Sequence, residues 1–251
     1  MVGALPALKE TVYKQTTKEM VRHRLASLIA SGILQLDDEL PSERELAVML
    51  SVSRETVRGA VQSLAGEGIL QVSQGARTRI INVNVNTQRI GVTHPNAING
   101  YDLAAVHQAR LLVELDVVSD AALRLSAADL GRLDDTLAAQ QEALDDPMRY
   151  LICDREFHLT IYYAAENRLL ADFTVDLYTY MLDRRRVVMA QPGAIQRSLQ
   201  DHREIVACLK ARDPEATRAA FRRHIQRIYD TSQALEAEPR AAQVRGTPGR
   251  L

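Results

Sequence analysis

Apolar positions along the chain keep a helical rhythm, lose it twice, and recover it. From Val21 they recur at Leu25, Leu28 and Ile29, four, seven and eight residues on, which marks one face of a helix. Thr16 with Glu19 is a capping-box pair that opens this helix, and Gly32 lies near its end. A second helix opens after Pro41 with Ser42 and Glu45 as another such pair, and runs through Leu46 and Met49 to about Ser51. A third begins at Ser53, buries Val57, Ala60, Val61 and Leu64, and stops at Gly66 and Gly68. Residues 69–73 and 78–81 then read as two short strands around a Gln74-Gly75 turn.

The stretch INVNVNTQRIGVTHPNAING, residues 81–100, is rich in Asn, Gly and Thr and has no period, so it reads as a connection. Beyond it the pattern is helical almost to the end, with no internal repeat. The run EPRAAQVRGTPGRL carries Pro, Gly and Arg without periodicity and predicts a disordered tail. The expected organisation is an N-terminal domain over 1–81, a linker over 82–100, a helical domain over 101–235 and a tail over 236–251. Three short helices and a two-stranded wing, with only Ser51 and Val52 between the second and third helices, describe a winged helix-turn-helix. The predicted fold class is mainly α: that module followed by an all-α bundle.

Charge narrows the picture only by position. The net charge of −1 excludes a chain-wide basic footprint, and residues 1–81 hold ten basic against nine acidic side chains. Yet Arg54 and Arg58, four apart on the third helix, share the face opposite its apolar stripe, with Thr56 beside them. Arginine contacts phosphates or the O6 and N7 of guanine, and the free N–H groups of a first helical turn favour phosphate. Surface arginines on a solvated helix are the plain alternative. The turn spacing, Arg44 on the preceding helix and Arg77 and Arg79 at the wing favour DNA. Two cysteines, Cys153 and Cys208, fit a reducing compartment. With no signal-peptide pattern and no apolar run near the roughly 18 residues of a membrane span, the expected location is the cytoplasm, without a membrane partner.

In the helical domain, polar residues fall on apolar faces. The inward stripe of the helix over 101–126 reads Leu103, Val106, Arg110, Val113 and Val117, and a buried guanidinium without a partner is costly. Asp154 and His158 lie four apart on a face with Leu151 and Ile161. His202 shares a face with Leu199, Ile205, Val206 and Leu209, and His224 sits among Phe221, Ile225 and Ile228. One histidine on an apolar face is usually a hydrogen-bonded core residue. Three of them with a carboxylate point instead to a divalent metal, for which imidazole and carboxylate are standard ligands. The run Arg184-Arg185-Arg186 reads as a solvated helix face or a dimer contact. Tyr162, Tyr163, Tyr178 and Tyr180 read as core or pocket lining, and Asn167 either orients a ligand or ends a helix.

Two resemblances gather these residues. The run LPSERELAVMLSVSRETVRGAVQSLAGEGIL resembles the DNA-binding domain of the GntR family of bacterial regulators, over roughly residues 12–81. Its wing, SQGARTRI, departs from the Gly-Thr-Phe-Val ending of many members. The DNA-contacting set implied is Arg44, Ser53, Arg54, Thr56, Arg58, Gln74, Gly75 and Arg77. The segments DREFHLTIYYAAENRLL, DHREIVACLK and AFRRHI resemble the effector-binding (FCD) domain of that family's FadR-type branch, over about residues 101–232. This resemblance implies a metal held by Asp154, His158, His202 and His224, and an effector carboxylate met by Arg110, with Asn167 as a further candidate contact.

The expected function is a DNA-binding transcription regulator, a repressor by family habit, with no catalytic residues. A small organic acid at the metal would control binding to a pseudo-palindromic double-stranded operator, and the chain would work as a homodimer. Zinc is the first expectation for the metal, with nickel and manganese compatible. Three alternatives stay open: a regulator that answers the metal alone, a constitutive DNA-binding module with a structural metal and Arg110 paired to Glu114 or another acid, and a metal-dependent hydrolase fused to a DNA reader.

Overall fold

A computed structural model describes residues 16–73, 77–85, 100–179 and 182–244. Its first helices are α1 (Thr17–Ala30), α2 (Glu43–Met49) and α3 (Arg54–Gly66). Each starts where the sequence supplies an acceptor for free N–H groups. Thr16 Oγ1 accepts from the Glu19 N–H at 3.2 Å, Ser42 Oγ from Glu45 at 3.3 Å and Ser53 Oγ from Thr56 at 3.1 Å. In the first two the glutamate reaches back to the cap N–H, at 2.7 and 2.8 Å, completing both capping boxes. Leu25, Leu28, Leu46, Val57 and Leu64 meet in a dry core. Burial of each such side chain is worth about 1.5–3 kcal/mol.

The turn between α2 and α3 places Ser51 in the left-handed region, at φ 51°. The wing strands β1 (Leu70–Gln71) and β2 (Arg79–Ile80) pair antiparallel, Leu70 opposite Ile80 and Gln71 opposite Arg79. The segment after α1 joins the wing edge: Leu40 N–H donates to the Thr78 carbonyl at 2.8 Å and Ile80 N–H to the Asp38 carbonyl at 3.0 Å. Gln74 and Gly75, at the expected wing tip, and most of the expected linker lie outside the described residues.

The second domain comprises α4 (Leu103–Arg124), α5 (Ala127–Glu142), α6 (Pro147–Tyr162), α7 (Arg168–Thr179), α8 (Leu182–Met189), α9 (Ala194–Lys210) and α10 (Pro214–Val244). Helix α6 lies at its centre, touching α4, α5, α7 and α8, and every residue from 150 to 159 is buried. A helix buried all round has no solvated face, so its polar residues have to find partners inside. The long α10 packs along α4 and against α9. It runs on through Val244, so the described part of the expected tail is helical. The Ala, Glu and Gln residues of SQALEAE and AAQ are good helix formers and carry the helix past the 236 boundary.

Candidate functional site

Asp154 and His158 stand one turn apart on α6, His202 on α9 and His224 on α10, all fully buried. The three imidazole centroids are 4.9 to 5.4 Å apart. One ligand atom from each ring lies within 4.8 Å of the others.

The outward nitrogen of every ring is occupied. His202 Nδ1 meets Gln140 Oε1 at 2.8 Å and His224 Nδ1 meets Asp201 Oδ2 at 3.0 Å. His158 Nδ1 meets the Tyr162 hydroxyl at 3.0 Å, and that hydroxyl donates onward to Glu114 Oε1 at 2.5 Å. Gln140 Oε1, Asp201 Oδ2 and the Tyr162 hydroxyl each accept from the ring. Although Arg227 Nη2 also lies 3.4 Å from His224 Nδ1, the shorter bonds place the proton on Nδ1 and leave Nε2 a bare acceptor. The three Nε2 atoms and Asp154 Oδ1 are buried without a hydrogen-bond partner. Oδ1 lies 3.5 Å from His202 Nε2 and 3.9 Å from His158 Nε2. Lone pairs facing lone pairs cannot satisfy one another, and an unpaired buried acceptor costs about 1–3 kcal/mol.

Protonation does not relieve the cluster. Burial, reinforced by the neighbouring imidazoles, pushes His158 well below the ordinary histidine range and His202 down to about 3. Burial also lowers His224, against the pull of Asp201. Burial alone would raise Asp154, but Arg185, His202 and the Tyr178 hydrogen bond hold its carboxyl below the usual range. Three neutral imidazoles and one carboxylate, converging with no donor among them, form the donor set of a divalent cation, and the residues present fit one.

Around this cluster stand residues that sequence reading did not assign to it. Asp154 Oδ2 accepts from the Tyr178 hydroxyl at 2.6 Å and from Arg185 Nη1 at 3.4 Å. Tyr162 follows His158 by four residues, a spacing that places both on one face and was the available signal. Gln140 and Asp201 are brought in only by tertiary packing. The reading of the arginine run as a solvated face or dimer contact is corrected for Arg185. That residue is buried, its guanidinium lies 4.5 Å over the Tyr178 ring, and its Nη2 has no partner. Short α8 packs against α6 and α10, so one side of its charged run faces inward.

Arg110 grips Glu114 through two bonds, Nε to Oε2 at 2.7 Å and Nη2 to Oε1 at 3.2 Å. Glu114 outweighs the opposing effect of burial and keeps this guanidinium's pKa raised. One polar chain thus runs from Arg110 through Glu114 and Tyr162 to His158. Arg110 and Arg185 also line a pocket of about 40 Å³ with aliphatic walls that include Leu103 and Ile225. At its edge His107 stacks on Tyr229 with ring centroids 4.0 Å apart. Asn167 is not part of this arrangement. It is exposed at the start of α7, where its side-chain oxygen accepts from the Leu170 N–H at 3.2 Å, so local geometry makes it a cap.

On the first domain Arg44, Arg54 and Arg77 are exposed. Arg58, exposed as well, is held by Glu43 at 2.9 Å and Glu55 at 3.4 Å. The hydroxyls of Ser53 and Thr56 share a hydrogen bond at 2.8 Å at the start of α3. Ser53, Arg54, Thr56 and Arg58 lie at the start and on the N-terminal half of α3, and Arg44 lies on α2.

Two protein families match the sequence: bacterial regulatory proteins of the gntR family over residues 17–80, and the FCD domain over residues 105–227. Among curated proteins, the HTH-type transcriptional repressor NanR of Edwardsiella tarda is 27% identical over 241 residues, covering 92% of this chain and 90% of that protein. NanR of Cronobacter sakazakii is also 27% identical, covering 91% and 90%. The solved structure of E. coli McbR/YncC shares the fold, with a TM-score of 0.51 at 21% identity, over 88% of this chain and 99% of that one.

Proposed function

The chain belongs to the gntR family of bacterial regulatory proteins and carries an FCD domain, and from that premise we propose that it represses transcription from an operator under control of a small organic acid at a divalent-metal site. Both families are regulatory, which sets aside the hydrolase alternative. The repressor direction rests on the NanR relatives.

The observation that carries the reading is the set of four buried, unpaired acceptors, one on Asp154 and three on histidines. These residues would hold the metal. A bound divalent cation supplies positive charge that offsets their desolvation and attracts oxygens of an acid. Zinc suits the ligands best, with nickel and manganese compatible. Gln140, Asp201 and Tyr162 fix the rings by their outer nitrogens. Arg110 and Arg185 border the adjoining pocket, which at about 40 Å³ has room for roughly three waters or a small acid of similar bulk. On the DNA side, Arg44, Ser53, Arg54, Thr56, Arg58, Gln74, Gly75 and Arg77 would contact the duplex. A homodimer would read two symmetric half-sites, so light scattering should give twice the 28.0 kDa chain mass. A monomer mass on operator DNA contradicts that part.

The test is fluorescence anisotropy on DNA from the gene's own upstream region, using metal-loaded protein, a panel of small organic acids and the Arg110→Ala variant. One acid should release the wild type and fail to release the variant. Tight binding that no acid changes would support the other readings, a regulator answering the metal alone or a DNA-binding module whose metal is structural. The two bonds from Arg110 to Glu114 favour the structural-metal reading, because they leave the guanidinium engaged.

A further inference from the structure

Two runs of neighbouring residues, Asp154 to Glu156 and Arg185 with Arg186, each face two places at once. On α6, Asp154 belongs to the metal cluster, while the next two residues reach the DNA-reading domain. Arg155, fully buried, donates from Nη2 to Ser27 Oγ on α1 at 2.9 Å, and Glu156 pairs with Arg24 of α1 at 3.0 Å. On α8, Arg185 holds Asp154 Oδ2, while Arg186 grips Asp38 at 2.6 and 3.3 Å and the Ile33 carbonyl at 3.3 Å. Successive side chains on a helix diverge by about 100°, so one rigid element can serve two sites. Beside the contacts of α6 with α1 lies an open cleft of about 770 Å³, bordered by Arg24, Arg155 and Glu156 among others. Apolar contacts also join the two domains, but the Arg24 and Arg186 ion pairs are partly exposed, and such pairs exchange for water at little cost.

We propose that α6 and α8 are two-faced connectors, through which occupancy of the Asp154–histidine cluster sets how firmly the DNA-reading domain is docked on the helical domain. The proposal rests on the metal reading above and extends it to regulation. Asp154 is the shared point: a cation drawing on its carboxylate alters the hold of Arg185 on it, and both helices carry that change to α1 and to the segment over 33–40. The equilibrium that the cluster biases is docked against undocked.

Hydrogen-exchange mass spectrometry on the full chain, metal-free and with added zinc, tests this. The variant is Arg24→Gln combined with Asp38→Asn, which removes contacts from the DNA-reading side and leaves the cluster untouched. Zinc should slow exchange in α6 and α9 of both proteins. In the wild type it should also change exchange severalfold in α1 and residues 33–40, and in the variant this distant response should vanish. Arg186→Gln, approaching the Asp38 contact from the other side, should abolish the response at 33–40, and unchanged helicity by circular dichroism excludes misfolding. A distant response that survives in the variants, or is missing from the wild type, overturns the proposal. If zinc leaves α6 and α9 unchanged, the metal reading fails. The connectors are then judged on metal-free Arg185→Gln, which should speed exchange at 33–40, and no change there overturns them.

Discussion

Gln140, Tyr162 and Asp201 decide the protonation of the three histidines, and none is itself a ligand candidate. Outer hydrogen bonds of this kind commonly govern metal affinity by 10- to 100-fold. Asp201→Asn should weaken zinc binding by about that range, measured by competition with a chromophoric chelator, while circular dichroism stays unchanged. Asp201 is partly exposed and also holds Arg227, so the effect on fold is expected to be small. Unaltered affinity would mean that this carboxylate does not set the basicity of His224. The four ligand candidates were legible in the sequence because histidines on apolar faces violate the burial pattern. Their partners were not, because a Gln on α5 or an Asp on α9 looks the same whether it faces water or an imidazole. Arg185 was hidden by its neighbours: three arginines in a row resemble a solvated surface, and only the position of α8 shows that Arg185 turns inward.

Helix α3 was readable almost to the residue, since Ser53, the Val57–Leu64 stripe and the two glycines are local signals that tertiary packing did not override. What the sequence could not show is that Arg58 is already engaged. Glu43, in the first turn of α2, holds it at 2.9 Å. Arg58 therefore has to exchange one anion for another on meeting DNA, whereas Arg54 is under no such hold among the contacts described. Arg54→Ala should cost about 1–3 kcal/mol of operator affinity if it reads a base. Glu43→Gln should strengthen binding at low salt and steepen the salt dependence by about one phosphate contact. Anisotropy titrations at several salt concentrations distinguish these outcomes. An unchanged slope in Glu43→Gln would mean that Arg58 does not reach the backbone.

At the scale of the whole molecule, the division into a winged helix-turn-helix and a helical bundle followed from periodicity, yet the contacts between them did not. Arg24, Asp38, Arg155 and Arg186 sit far apart in sequence, and no local pattern pairs them. The bundle also balances two contributions of opposite sign: a large apolar interior that stabilises it and a buried polar cluster at its centre that, without a cation, destabilises it. Chelation should therefore be felt globally. A ligand present at 1,000 times its Kd stabilises by about 4 kcal/mol, which corresponds to a shift on the order of 10 °C in Tm for a domain of this size. Calorimetry with and without a strong chelator measures it, and an identical Tm would mean that no metal is held there.

The hydroxyls of Tyr162 and Tyr178 each bond directly to a member of the cluster, and the chain has no tryptophan. Its ultraviolet spectrum above 280 nm is therefore that of eight tyrosines, two of which bond to the cluster while a third, Tyr150, lies parallel to His202. Any change of charge at the cluster should perturb those three chromophores, so the protein carries its own optical gauge. Difference absorbance or tyrosine emission can follow events at the buried centre in real time, with no label and no indole signal to mask them.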